Sequence, residues 1–136
     1  KGEGIIAAHC MAVNECVADD YVSVALRFLE TPYLWGGRSG FGIDCSGLVQ
    51  LSAAMVGKSV LRDTDMQVST LGTDISRDEL RRGDLVFWKG HVGIMEDEQT
   101  LLHANGHTMN VSRENLDEAI KRIGWLYEMP TAFRRL

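Results

Sequence analysis

The order of patterns along this chain predicts an α+β domain built around an antiparallel sheet. Helical periodicity dominates the first half, in a segment opening at Asp19-Asp20 and in the apolar run that follows Cys45. The second half breaks into short strand-like segments separated by glycines and polar turns, the spacing of a meander.

Element by element, Asp19-Asp20 supplies an acidic helix start, and Val22, Ala25, Leu26 and Leu29 keep a 3.6-residue period until Thr31-Pro32 stops it. The next ten residues, Tyr33–Gly42, hold four glycines and cannot be helix. Leu48, Val49, Leu51, Ala53, Ala54, Met55 and Val56 then run without a breaker to Gly57, which places Cys45 in the first turn of a helix. Thr64 or Asp65 is expected to cap a short helix running towards Gly72. Ser76 and Glu79 have capping-box spacing.

Leu85–Trp88 reads as a buried strand, with further strands at His91–Met95, Leu101–Ala104 and Met109–Ser112. A helix is expected over Glu114–Lys121, ended by Gly124, and Trp125–Tyr127 and Ala132–Arg134 read as closing strands.

The chemistry gathers on one cysteine and two histidines. Unpaired N–H groups and the positive dipole end at a helix start favour an anion, which for Cys45 means the nucleophilic thiolate. A tight turn centred on Asp97 puts His91 directly opposite His103, on a face shared with Gly93, Met95 and Leu101. Facing Cβ atoms lie about 4.5–5.5 Å apart. Gly93 leaves space beside His91, and a one-residue slip would move His103 to the other face. In a Cys–His–His set, His91 takes the thiol proton and His103 orients His91. The plainer alternatives are a core cysteine and surface histidines. Cys45, His91 and His103 could also be zinc ligands, and His103 and His107 have i, i+4 spacing. A metal site is disfavoured, because the Asn-Gly between those two histidines opposes a helix, the zinc-protease glutamate is missing, and Cys10 and Cys16 make no Cys-x-x-Cys.

The chain has 136 residues, 45% hydrophobic and 24% charged, with a net charge of −5. That is one domain with one core. No basic stripe suits a nucleic-acid partner, no apolar run is long enough to span a membrane, and no phosphate-binding glycine motif is present. Nothing calls for a metal or other cofactor. Three cysteines cannot all pair internally, and nothing requires Cys10 to bond Cys16. Free cysteines and the lack of a visible export signal lean towards the cytoplasm, with the cell envelope as the alternative. The start at Lys1, without methionine, reads as a piece of a longer protein, with residues 1–18 a leader and 19–136 the functional domain.

At these residues the chain resembles the NlpC/P60 family of bacterial cysteine peptidases. The matching stretches are Thr31–Gly37, Asp44–Gln50, Arg82–Trp88, Gly90–Ile94 and Leu102–Ala104, in the family's order. The resemblance implies a papain-like fold in which the nucleophile helix packs on a central antiparallel sheet. It implies Cys45 as nucleophile, His91 as base and His103 as the orienting residue. It further implies Tyr33 as an oxyanion donor, and Asp44 and Ser46 as lining the substrate groove, with Arg62–Gln67 a further groove segment. The implied substrate is a murein stem peptide, L-Ala-γ-D-Glu-diamino acid, cut at the γ-D-glutamyl bond. Gly4–His9 resembles the last strand of a bacterial SH3 domain lying upstream.

Overall fold

Residues 18–136 are described by the computed structural model, so the strand expected at Gly4–His9 lies outside the described residues. The first helix, α1 (Tyr21–Leu26), begins where Asp20 accepts hydrogen bonds from the N–H groups of Val22 and Ser23. Glu30, at φ 66°, then turns the chain away before Pro32. Inside the glycine loop lies a small hairpin of β1 (Arg38–Ser39) and β2 (Gly42–Ile43). The close approach needs glycine: a Cβ on Gly37 would lie 2.5 Å from the Gly42 carbonyl oxygen.

Helices α2 (Cys45–Ala54) and α3 (Thr64–Thr70) follow. The N-cap position of α3 is Asp63, one residue ahead of the expected Thr64 or Asp65. After β3 (Thr73–Asp74), a 3-10 turn at Arg77–Glu79 closes with the Glu79 carboxylate accepting from both the Ser76 N–H and its Oγ, at 2.8 and 2.9 Å.

The rest of the chain is β4 (Asp84–Trp88), β5 (His91–Met95), β6 (Thr100–Asn105), β7 (Asn110–Asn115), α4 (Leu116–Leu126) and β8 (Ala132–Arg135). The six strands pair antiparallel throughout in the order β3-β8-β4-β5-β6-β7. The expected α+β class with an antiparallel sheet therefore holds.

Strand alternation gives the sheet two apolar faces. Leu85, Phe87, Val92, Ile94, Leu102, Ala104 and Val111 form one, packed with Val22 and Ala25 of α1 and Leu48, Val49 and Ala53 of α2. Val86, Trp88, Met95 and Leu101 form the other, covered by Leu116, Ala119 and Ile120 of α4. Burying each such side chain contributes about 1.5–3 kcal/mol.

Two expectations need correction. Trp125–Tyr127 is not a strand: α4, capped by Asn115, runs through Gly124 to Leu126. Glycine inside a helix costs only about 1 kcal/mol relative to alanine, and the Met129 sulfur packs 3.0 Å from where a Cβ would stand. The second concerns the β5–β6 register, which pairs Ile94 with Leu102 and Met95 with Leu101. That is two residues away from the arrangement facing His91 with His103. The Asp97 carboxylate bonds forward to the N–H groups of Gln99 and Thr100, both at 2.8 Å, and Glu96 N–H donates to Thr100 O at 2.8 Å. The turn is thus two residues longer on its far side, with its centre one residue later. A slip of two preserves the face, so both histidines stay on one side of the sheet.

Candidate active site

Cys45 is the first residue of α2, as expected, and is buried. The cap is Asp44, whose Oδ1 accepts from Gly47 N–H at 2.7 Å. Its Oδ2 accepts from Gly36 N–H at 2.8 Å, and the Arg62 guanidinium grips both oxygens at 2.9 and 2.7 Å. Arg62 also donates to Ser46 Oγ at 2.9 Å and Gly37 O at 3.3 Å. From α3, Gln67 donates to Ser46 O at 3.0 Å and Leu61 O at 2.9 Å. A glycine is needed at 47, where a Cβ would lie 2.6 Å from Gly37 O. Helix start, glycine loop and the Arg62–Gln67 segment are therefore fastened together around one cysteine.

The cysteine helix packs on the sheet face opposite the histidine side chains. The thiol nevertheless meets the backbone on both sides of His91. Sγ lies 4.0 Å from Gly90 O, the Val92 N–H favours its ionised form, and Thr64 Oγ1 is 3.9 Å away. His91 opens β5 at the end of the sheet, after Gly90 at φ 72°.

His91 Nε2 is 2.9 Å from His103 Nδ1, and the rings meet edge-on at 61° with centroids 5.1 Å apart. The structure thus brings His91 and His103 together, although diagonally across the ladder. The space expected beside Gly93 is filled by Leu101, whose Cδ1 stands 2.5 Å from a would-be Cβ.

Burial raises the Cys45 thiol, outweighing the N–H groups that favour the thiolate. Burial, then the charges of His103 and Arg122, lower His91 to about 3. At rest the Cys45 thiol is protonated and the His91 imidazole is neutral, which departs from the thiolate expected from the helix terminus alone. Burial, then the charge of Cys45 once ionised and, less strongly, that of Asp44, also raise Tyr33, keeping its hydroxyl a donor. In Asp44 burial acts upward, but the bonds from Arg62, Gly47 and Gly36 prevail and lower it.

Two cavities meet here, each about 550 Å³. The first is lined by Tyr33, Asp44, Cys45, Ser46, Arg62 and Thr64, and the second by His91, His103, Lys89, His107 and the end of α4. Gly90 and Trp35 belong to both, and Trp35 is 83% exposed. Trp35 was visible in the sequence only as part of the Tyr33–Gly37 stretch. Glu114 and Arg122 were not visible at all. Glu114 Oε2 lies 3.2 Å from His103 Nε2, and Arg122 donates to the same carboxylate at 3.0 and 2.6 Å. Burial pushes Glu114 up, but these bonds prevail and lower it to about 2.

A cysteine at a helix start and a histidine pair on an adjoining antiparallel sheet define a papain-like arrangement. The NlpC/P60 family model matches residues 30–125, and the chain belongs to that family. Among curated relatives, the dipeptidyl-peptidase 6 of Lysinibacillus sphaericus is 33% identical over 120 residues, 80% of this chain and 44% of that protein. The γ-D-glutamyl-L-lysine dipeptidyl-peptidase of Bacillus subtilis is 35% identical over 111 residues, 76% of this chain and 37% of that protein. This chain thus spans less than half the length of these relatives. Among solved structures, an NlpC/P60 family protein from Bacillus cereus superposes with a TM-score of 0.74 at 30% identity, covering 88% of this chain and 40% of that one. The peptidoglycan hydrolase RipB of Mycobacterium tuberculosis does so with a TM-score of 0.72 at 27% identity, covering 85% and 62%.

Proposed function

We propose that this domain is a cysteine endopeptidase that hydrolyses the γ-D-glutamyl–diamino acid amide of murein stem peptides. The observation carrying this reading is the placement of the Cys45 thiol against the backbone flanking His91, which is itself bonded to His103. The name of the Bacillus subtilis relative, a γ-D-glutamyl-L-lysine dipeptidyl-peptidase, supplies the bond.

The resting protonation states set the order of events. The thiol is protonated and His91 neutral, so the proton passes to His91 as sulfur attacks the carbonyl carbon. The tetrahedral oxyanion is met by the Tyr33 hydroxyl and by the Cys45 N–H, which as the first of α2 has no intrahelical acceptor. The imidazolium then protonates the leaving amine, the thioester forms, and water assisted by His91 releases the acid. On this reading the Cys45 cavity takes the acyl side and the His91 cavity the amine side. A bacterial SH3 domain upstream would complete recognition of the stem's free N-terminal amine.

The test is mass spectrometry of the products from L-Ala-γ-D-Glu-diaminopimelate peptides, with and without a blocked N-terminal amine. Release of L-Ala-D-Glu is expected; products of an amidase or acyltransferase using the same three residues would replace this reading, as would wall binding without turnover.

Two further outcomes are expected. Tyr33→Phe should lower kcat about 10²-fold with KM nearly unchanged, because the lost hydrogen bond strengthens only as the oxyanion forms. Steady-state kinetics checks this. Because burial raises the thiol, alkylation of Cys45 by iodoacetamide should keep accelerating into the alkaline range; a plateau reached below pH 7 would instead indicate a resting thiolate.

A further inference from the structure

His103 is fully buried between two partners, with Nδ1 2.9 Å from His91 Nε2 and Nε2 3.2 Å from Glu114 Oε2. Ladder pairing sets this up: His103 of β6 faces Ser112 of β7, and Glu114, two residues on, returns to the same side of the sheet. Arg122 reaches the carboxylate from α4 with two hydrogen bonds.

With both imidazoles neutral, these contacts leave one consistent placement of hydrogens. An ionised carboxylate only accepts, so His103 Nε2 carries a hydrogen and donates it to Glu114. In a neutral imidazole the other nitrogen is then bare, so His103 Nδ1 accepts. His91 Nε2 must be the donor to it, which leaves His91 Nδ1 bare. That nitrogen has no hydrogen bond to any described residue. It is the one lone pair of the histidine pair free to receive the thiol proton. The opposite tautomers would put a hydrogen on it and remove the base.

We propose that Glu114 is the positioning residue that sets the tautomers of both histidines and so keeps His91 Nδ1 available as base. The proposal rests on the reading of Cys45 and His91 as nucleophile and base. When the thiol proton arrives at Nδ1, His91 becomes an imidazolium whose Nε2–H still donates to His103, and no proton moves to Glu114. Burial works against the ionised Glu114 this requires, but the hydrogen bonds from His103 and Arg122 prevail and favour it.

The test is nitrogen-15 NMR of the whole chain labelled at its four histidines, paired with alkylation of Cys45 by iodoacetamide at one neutral pH. Alkylation is followed on the tryptic peptide Ser39–Lys58, which excludes Cys10 and Cys16. The wild type should show bare Nδ1 and protonated Nε2 on His91 and His103. In Glu114→Gln the amide can donate or accept, so the tautomers should mix and alkylation should slow about tenfold. Arg122→Gln removes the same ion pair but leaves the carboxylate, so it should keep the wild-type tautomers and alkylate within about twofold of wild type. Equal behaviour of the two variants would reduce the pair to a strut between β7 and α4. Wild-type tautomers and alkylation rate in Glu114→Gln would likewise overturn the proposal. Neither readout uses a peptide substrate, so a protein that fails to cut murein peptides leaves this test intact.

Discussion

Replacing Cys45 with alanine should lower hydrolysis of the γ-D-glutamyl peptide by about 10⁴-fold or more, to what binding and oxyanion donors alone supply. The loss should be chemical rather than structural. Cys45 packs among apolar core residues, and its polar contacts, with Thr64 at 3.9 Å and Gly90 at 4.0 Å, are long ones. Trading the thiol for a methyl group should cost about 1 kcal/mol. Single-turnover assays and thermal melts of the same preparation separate the two: a near-normal melting curve with activity lost is expected. Turnover at the wild-type rate would remove thiol chemistry from the domain.

The positions of Cys45, His91 and His103 were legible because each depends on local pattern. A glycine loop before an apolar run fixes a helix start within a residue, and strand parity puts His91 and His103 on one face whether the turn is centred at Asp97 or one residue later. The register itself was not legible, because it depends on Asp97 bonding to the N–H groups of Gln99 and Thr100. Nor could parity say that α2 packs on the far face, with the thiol approaching His91 past Gly90. Glu114 was misread as the start of a helix because acidic residues favour first turns. The actual cap is the next residue, Asn115, which leaves Glu114 in β7 and aimed at His103. Arg122 enters only through the packing of α4 on the sheet. The partnership of Asp44 with Arg62 spans a loop and has no periodic signature. Pattern reveals faces and termini, while side-chain partners between elements follow from packing.

That last partnership gives Asp44 a structural burden beyond lining a groove, and Asp44→Ala should lower stability by about 2–3 kcal/mol. Loss of a helix cap accounts for about 1 kcal/mol. The rest comes from Arg62, which keeps its charge while losing both carboxylate oxygens. Breaking a fully buried pair costs about 3–5 kcal/mol, and this one costs less because the Arg62 side chain is 27% exposed and water screens it. A Tm lowered by roughly 10 °C follows. Activity should fall as well, since the bond from Gly36 N–H holds the glycine loop, with Tyr33 and Trp35, against the start of α2. Asp44→Asn separates these contributions. Asparagine is as good a cap as aspartate and can still accept from Gly47, but it cannot hold a guanidinium at both oxygens. It should therefore recover about half of the lost stability while remaining deficient in turnover. Thermal melts and kcat/KM on the same peptide check the pair. If Asp44→Asn regained activity in proportion to stability, the ion pair would have no role in setting the groove; if neither variant lost stability, the carboxylate would be free to bind substrate directly.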